Sequence, residues 1–133
     1  ECPPEMERAA ELAASNLRNW TEVRAAYLRY RTCDDGSIGE GFSDSVSVLL
    51  SERWTTLNSL GAYTYADSGF RQFVLKHIDE SVPGDRLQKI ERNADRRCQS
   101  AHNGLCAMIR ASARAAIANL PFDQSPKDGA AQR

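Results

Sequence analysis

Asp67-Ser68-Gly69-Phe70-Arg71-Gln72-Phe73-Val74-Leu75-Lys76-His77-Ile78 is the stretch on which the fold turns. Phe70, Phe73, Val74, His77 and Ile78 recur at the i, i+3, i+4, i+7, i+8 spacing of one helical face. Asp67 stands where an N-cap belongs, and Val82-Pro83-Gly84 stops the helix. Helical spacing of this kind dominates the chain, and strand-like alternation is nearly absent.

Downstream, Asp85 opens a further helix with Leu87, Ile90 and Ala94 inward and Arg96 and Arg97 in its last turn. Both charge placements complement the helix dipole. A turn at His102-Asn103-Gly104 leads to an alanine-rich helix carrying Leu105, Ile109, Ala113, Ile117 and Leu120, which Pro121 ends. Upstream, a short helix is predicted from Thr56 to about Tyr65. Before it, Ile38, Phe42, Val46, Leu49 and Trp54 form one apolar stripe. Gly39 and Gly41 lie inside that stripe, each costing about 1 kcal/mol against Ala. They mark either a close helix crossing or a helix that starts only at Ser43. Thr21 is expected to cap a helix carrying Val23, Tyr27 and Tyr30, and the segment from Pro3 to about Leu17 supplies the first helix. Trp54 and Leu57 have the spacing that opens a tetratricopeptide unit, but Asn58 stands where Gly is needed and no internal period holds.

The expected fold is therefore all-α: a compact, irregular bundle of about six to seven short helices braced by disulfides. It forms a single domain over residues 1–120, with a flexible C-terminal tail over 121–133. At 133 residues the chain can bury about two thirds of its unfolded surface, enough for a core without a metal. Charged residues make up 26% and nearly cancel, leaving a formal net charge of -1. That balance gives no basic face for nucleic acid and no polybasic attraction to anionic lipid. The apolar runs are too short for membrane insertion.

Cys2, Cys33, Cys98 and Cys106 are even in number, as suits two disulfides in an oxidising compartment. The opening Glu1-Cys2-Pro3-Pro4 lacks Met, which together with the cysteines leads to the expectation of a removed export leader. Periplasmic or secreted localisation follows. Four cysteines allow three connectivities; the favoured one clamps the first helical hairpin with Cys2–Cys33 and the later turn with Cys98–Cys106. Neither pair has the short ligand spacing of a zinc site, so no metal and no cofactor are expected.

His77 on its apolar stripe reads as a hydrogen-bonded histidine at the core edge, and His102 as a turn residue. No nucleophile-elbow sequence accompanies them. The segment Asp34-Asp35-Gly36-Ser37-Ile38-Gly39-Glu40-Gly41-Phe42-Ser43-Asp44 is the most distinctive. Aligning Gly36 with a calcium loop puts Arg31 and Phe42 at ligand positions, which excludes an EF-hand. Asp34, Asp35, Glu40 and Asp44 are instead expected to form an exposed acidic patch near one end of a helix. Such a patch would bind a basic surface on another protein. The function this suggests is an exported protein-binding module, of the kind that inhibits a toxin or cell-wall enzyme. Two alternatives use other residues: a lysozyme-like hydrolase with Glu40 beside a second carboxylate, and an apolar-ligand carrier using Trp20, Trp54, Phe70 and Phe73.

Overall fold

A computed structural model describes residues 1–126 of the chain. Seven α-helices and no strand occur among the described residues: α1 (Pro4–Ala14), α2 (Trp20–Tyr30), α3 (Gly36–Glu52), α4 (Leu57–Ala66), α5 (Ser68–Lys76), α6 (Gly84–Arg96) and α7 (Asn103–Ala118). Short 3-10 turns at Arg31–Cys33, Trp54–Thr56 and Ser100–His102 join them. Both expected disulfides are formed, Cys2–Cys33 and Cys98–Cys106.

The central element is α3, which packs against α1, α2 and α6. It buries Ile38, Phe42, Val46, Leu49 and Leu50, and with them Ser43, Ser45, Ser47 and Ser51. A helix covered on several sides needs small residues where neighbours come closest, and each buried hydroxyl needs a partner. Ser47 and Ser51 donate to their own helix at Asp44 O and Val48 O. Ser45 reaches outside, donating to Ala14 O at 2.6 Å and accepting from Leu17 N at 3.2 Å. It thereby ties down the end of α1.

Gly41 explains the other half of that contact. A Cβ there would stand 3.0 Å from Ala14 Cβ and 3.2 Å from Ser15 N. Of the two readings open for Gly39 and Gly41, the close crossing holds, and α3 starts at Gly36 rather than Ser43. Gly36 itself has φ +53°, a conformation that glycine adopts without strain.

On the opposite side, α6 and α7 pack as a hairpin, with Cys98 of their connection bonded to Cys106 in the first turn of α7. Asn93 of α6 is buried and donates to Leu50 O at 2.9 Å and Ser51 O at 3.3 Å, satisfying carbonyls near the end of α3. The aromatic residues considered for an apolar ligand are core packing. Trp20, Trp54, Phe70 and Phe73 are all at most 5% exposed, and the two indoles donate to Thr56 Oγ1 and Arg97 O.

Two local expectations change. Asn19 rather than Thr21 caps α2, accepting from Glu22 N at 2.8 Å. The Thr21 hydroxyl instead lies 2.9 Å from the Tyr63 hydroxyl. The last helix ends at Ala118, and the expected tail begins with structure: a 3-10 turn at Phe122–Gln124, followed by a buried Pro126. The chain folds back over Gly84, where a Cβ would collide with Gln124 O. The remainder of the expected flexible tail, 127–133, lies outside the described residues.

Candidate functional site

The distinctive acidic segment divides into an inward-facing and an outward-facing half. Asp34 lies between the Arg31–Cys33 turn and α3, held in place by the adjoining Cys2–Cys33 bridge. Its side chain is only 4% exposed. This corrects the expected patch of Asp34, Asp35, Glu40 and Asp44: Asp34 points into the protein and is withdrawn from any partner. Spacing along a helix start cannot reveal this, because the residue before an N-cap is not on the helix.

Asp34 meets the end of α5. His77 Nε2 donates to Asp34 Oδ2 at 2.8 Å, and Lys76 Nζ reaches the same oxygen at 2.7 Å. The other face of the imidazole contacts α3, with His77 Nδ1 2.8 Å from Ser43 Oγ. Ser43 Oγ in turn donates to Asp79 Oδ2 at 2.9 Å, and Asp79 Oδ1 accepts from Ser81 N and Ser81 Oγ at 3.0 and 2.6 Å. Phe42 and Phe73 line the ring, their centroids 5.7 and 4.7 Å from that of His77. Gly39 gives the cluster room: a Cβ there would stand 3.3 Å from Asp34 Oδ1 and 4.0 Å from His77 Cε1.

Burial by itself would push the Asp34 carboxyl up. The hydrogen bonds and positive charge of His77 and Lys76 outweigh it and hold the group below the usual carboxylate range. Among the described residues Asp34 Oδ1 has no hydrogen-bond partner, and the contacts that anchor this carboxylate there fall on Oδ2.

Ser, His and Asp in one chain of hydrogen bonds invite comparison with a nucleophilic relay. The geometry here serves a different end. Ser43 is 1% exposed and His77 3%, and the hydroxyl directs its proton to Asp79 instead of to the ring. In this conformation the cluster is a clamp joining α3, the Asp34 turn and the loop after α5. Sequence reasoning had His77 as a hydrogen-bonded core-edge residue but missed its partners, which lie 43 and 34 positions away.

The outward half keeps its acidity. Asp35 is exposed and caps α3, accepting from Gly36 N at 2.8 Å. Glu40 is exposed on the helix, not set in the apolar pocket that a lysozyme-like acid would need. Asp44 pairs with Arg86 at 2.8 Å, so its charge is compensated. A cleft of about 320 Å³ lies beside Asp35, between the Cys2–Cys33 bridge, α1 and the first turn of α3. Glu7 and Glu11 of α1 share its lining with Asp35, and among the described residues no Lys, Arg or His does. Ser37 Oγ lies 3.0 and 2.9 Å from the two Glu11 carboxylate oxygens and fastens α1 to α3 at the cleft edge. The sequence signal for Glu7 and Glu11 was their i,i+4 spacing on α1; the fold alone brings them to Asp35.

Among the described residues there is no group of three or more His, Cys, Asp or Glu side chains arranged to hold a metal, and no helix long and apolar enough to cross a membrane. The chain matches no protein-family model, no curated protein and no solved structure.

Proposed function

We propose that the protein acts by binding another protein in an oxidising, extracytoplasmic setting, periplasmic or secreted, through the acidic cleft of Glu7, Glu11 and Asp35. The cleft carries the reading. Three carboxylates line one concave site that, among the described residues, has no Lys, Arg or His in its lining, and a disulfide fixes one of its walls. A Lys or Arg side chain of a partner would relieve their mutual repulsion and form charge-assisted hydrogen bonds there. A preformed acidic socket suits inhibition of a toxin or cell-wall enzyme, because a rigid receptor loses little entropy on binding. Disulfides support the compartment, since they persist where the surroundings are oxidising.

Affinity capture from a native extract, followed by titration of the captured protein, tests the proposal. Glu7→Lys combined with Glu11→Lys should weaken binding by about 2 kcal/mol, near 30-fold in Kd, while loss of the exposed Ser37–Glu11 bond costs about 1 kcal/mol of stability and leaves the variant folded. Glu40→Lys, exposed and outside the cleft lining, should have a much smaller effect. Equal capture by a folded Glu7→Lys/Glu11→Lys variant would remove the cleft from consideration.

A further inference from the structure

We propose that His77 is held in the folded protein as an imidazolium, and that loss of one ring proton opens the clamp it forms with Asp34, Ser43 and Asp79. The argument is a count of donors and acceptors. A carboxylate only accepts, and a serine hydroxyl has one proton to give. Ser43 Oγ lies 2.9 Å from Asp79 Oδ2, so its proton is committed to that carboxylate. The hydroxyl can then only accept from His77 Nδ1, 2.8 Å away, and Nδ1 must carry a proton. On the other side, Nε2 lies 2.8 Å from Asp34 Oδ2, which can only accept, so Nε2 must carry a proton as well. A neutral ring fails on one side or the other. With Nδ1 bare, the Ser43 hydroxyl must desert Asp79 or face a lone pair; with Nε2 bare, the imidazole faces the Asp34 carboxylate with no hydrogen between them.

The charges around the ring fit this assignment. Asp34 lies on the side of the Cys33 turn and Asp79 on the side of the loop after α5; Lys76 on α5 shares Oδ2 of Asp34. From α3 come Ser43 and the Phe42 ring, neither of which is charged at neutral pH. The positive ring thus stands between two carboxylates, and among the described residues Lys76, whose side chain is 60% exposed, is the one other cation paired with them. Removing one ring proton deletes one link of a four-residue chain, buried at Ser43 and His77, that joins α3 to the elements on both sides of it. The clamp therefore loosens as pH rises, whereas protonation of Asp34 loosens it as pH falls.

Nitrogen-15 spectra of the ring at about neutral pH test the assignment, with His102, the other histidine of the chain, as an internal comparison. Both His77 nitrogens should show the shifts and attached protons of an imidazolium. A bare ring nitrogen at that pH overturns the proposal. Asp79→Asn supplies the second arm. Its amide can donate to Ser43, the hydroxyl can turn toward Nδ1, and that nitrogen should become bare; two protonated nitrogens in the folded variant would show that the chain does not set the charge. The denaturant midpoint of the unmodified protein should fall over the pH interval in which the spectra show the proton leaving. A midpoint flat across that interval overturns the clamp's opening. If Asp79→Asn does not fold, the spectra and midpoints of the unmodified protein decide.

Discussion

Replacing Asp34 with Ala should destabilise the protein by about 3–5 kcal/mol, while replacing its neighbour Asp35 with Ala should cost about 1 kcal/mol. The two side chains are adjacent and identical in chemistry, but their surroundings separate them. Asp34 is 4% exposed and is the acceptor for His77 and Lys76, so its removal leaves a buried imidazole donor with nothing to receive it. Asp35 is exposed and caps a helix, a role water partly replaces. Equal losses in chemical denaturation would show that the clamp contributes nothing beyond a cap. The acid limb carries a second signature of the same residue. Because the Asp34 carboxyl is held below its ordinary value of 3.8 in the folded state, its contribution is present above that value and is lost as pH falls through the lower, folded one. Denaturation midpoints followed from neutrality into acid should show that loss in the unmodified protein, and Asp34→Asn should lack that component.

The second large effect belongs to the Cys2–Cys33 bridge. It spans 31 positions, against 8 for Cys98–Cys106. On the chain-entropy account, loops of these lengths correspond to about 3.7 and 2.5 kcal/mol. The pair Cys2→Ala with Cys33→Ala should therefore lower the unfolding free energy more than Cys98→Ala with Cys106→Ala. Position widens the gap. The longer bridge fixes Cys33 directly beside Asp34 and forms one wall of the acidic cleft, so its loss also loosens the clamp. The shorter one closes a turn between two helices that already pack closely. A larger loss from the Cys98–Cys106 variant would contradict both parts of this account.

The helices were legible because their determinants are local. The stripe beginning at Phe70 and the Asp67 cap on Phe70 N act within a few residues of one another, although α5 ends at Lys76, ahead of the stop expected at Pro83. The bridges were legible because each pair closes a connection that the helix pattern had already placed. The site was not legible in the same way. Asp34 and Asp35 look alike in sequence, and only the arrival of His77 from the end of α5 decides which one turns inward. Asn19 and Thr21 are both good caps, and the competing contact of Thr21 with Tyr63, 42 positions away, belongs to the tertiary structure. Gly41 could be read as a weak point of a helix until Ala14 appeared against it. Each miss is a long-range contact selecting between two locally acceptable arrangements.

The burial of α3 on several sides also bears on the order in which the molecule assembles. Its contacts with α1 and α6 join residues separated by about thirty to forty positions, and closing loops of that size must precede any gain from them. The α6–α7 hairpin needs only a short connection to meet itself and can form ahead of the rest. Docking of α3 is then the event that makes folding cooperative, because α1, α2 and α6 reach their final partners together when it seats. Its backbone amides accordingly belong to the most protected unit of the molecule, released to solvent only when the whole structure opens.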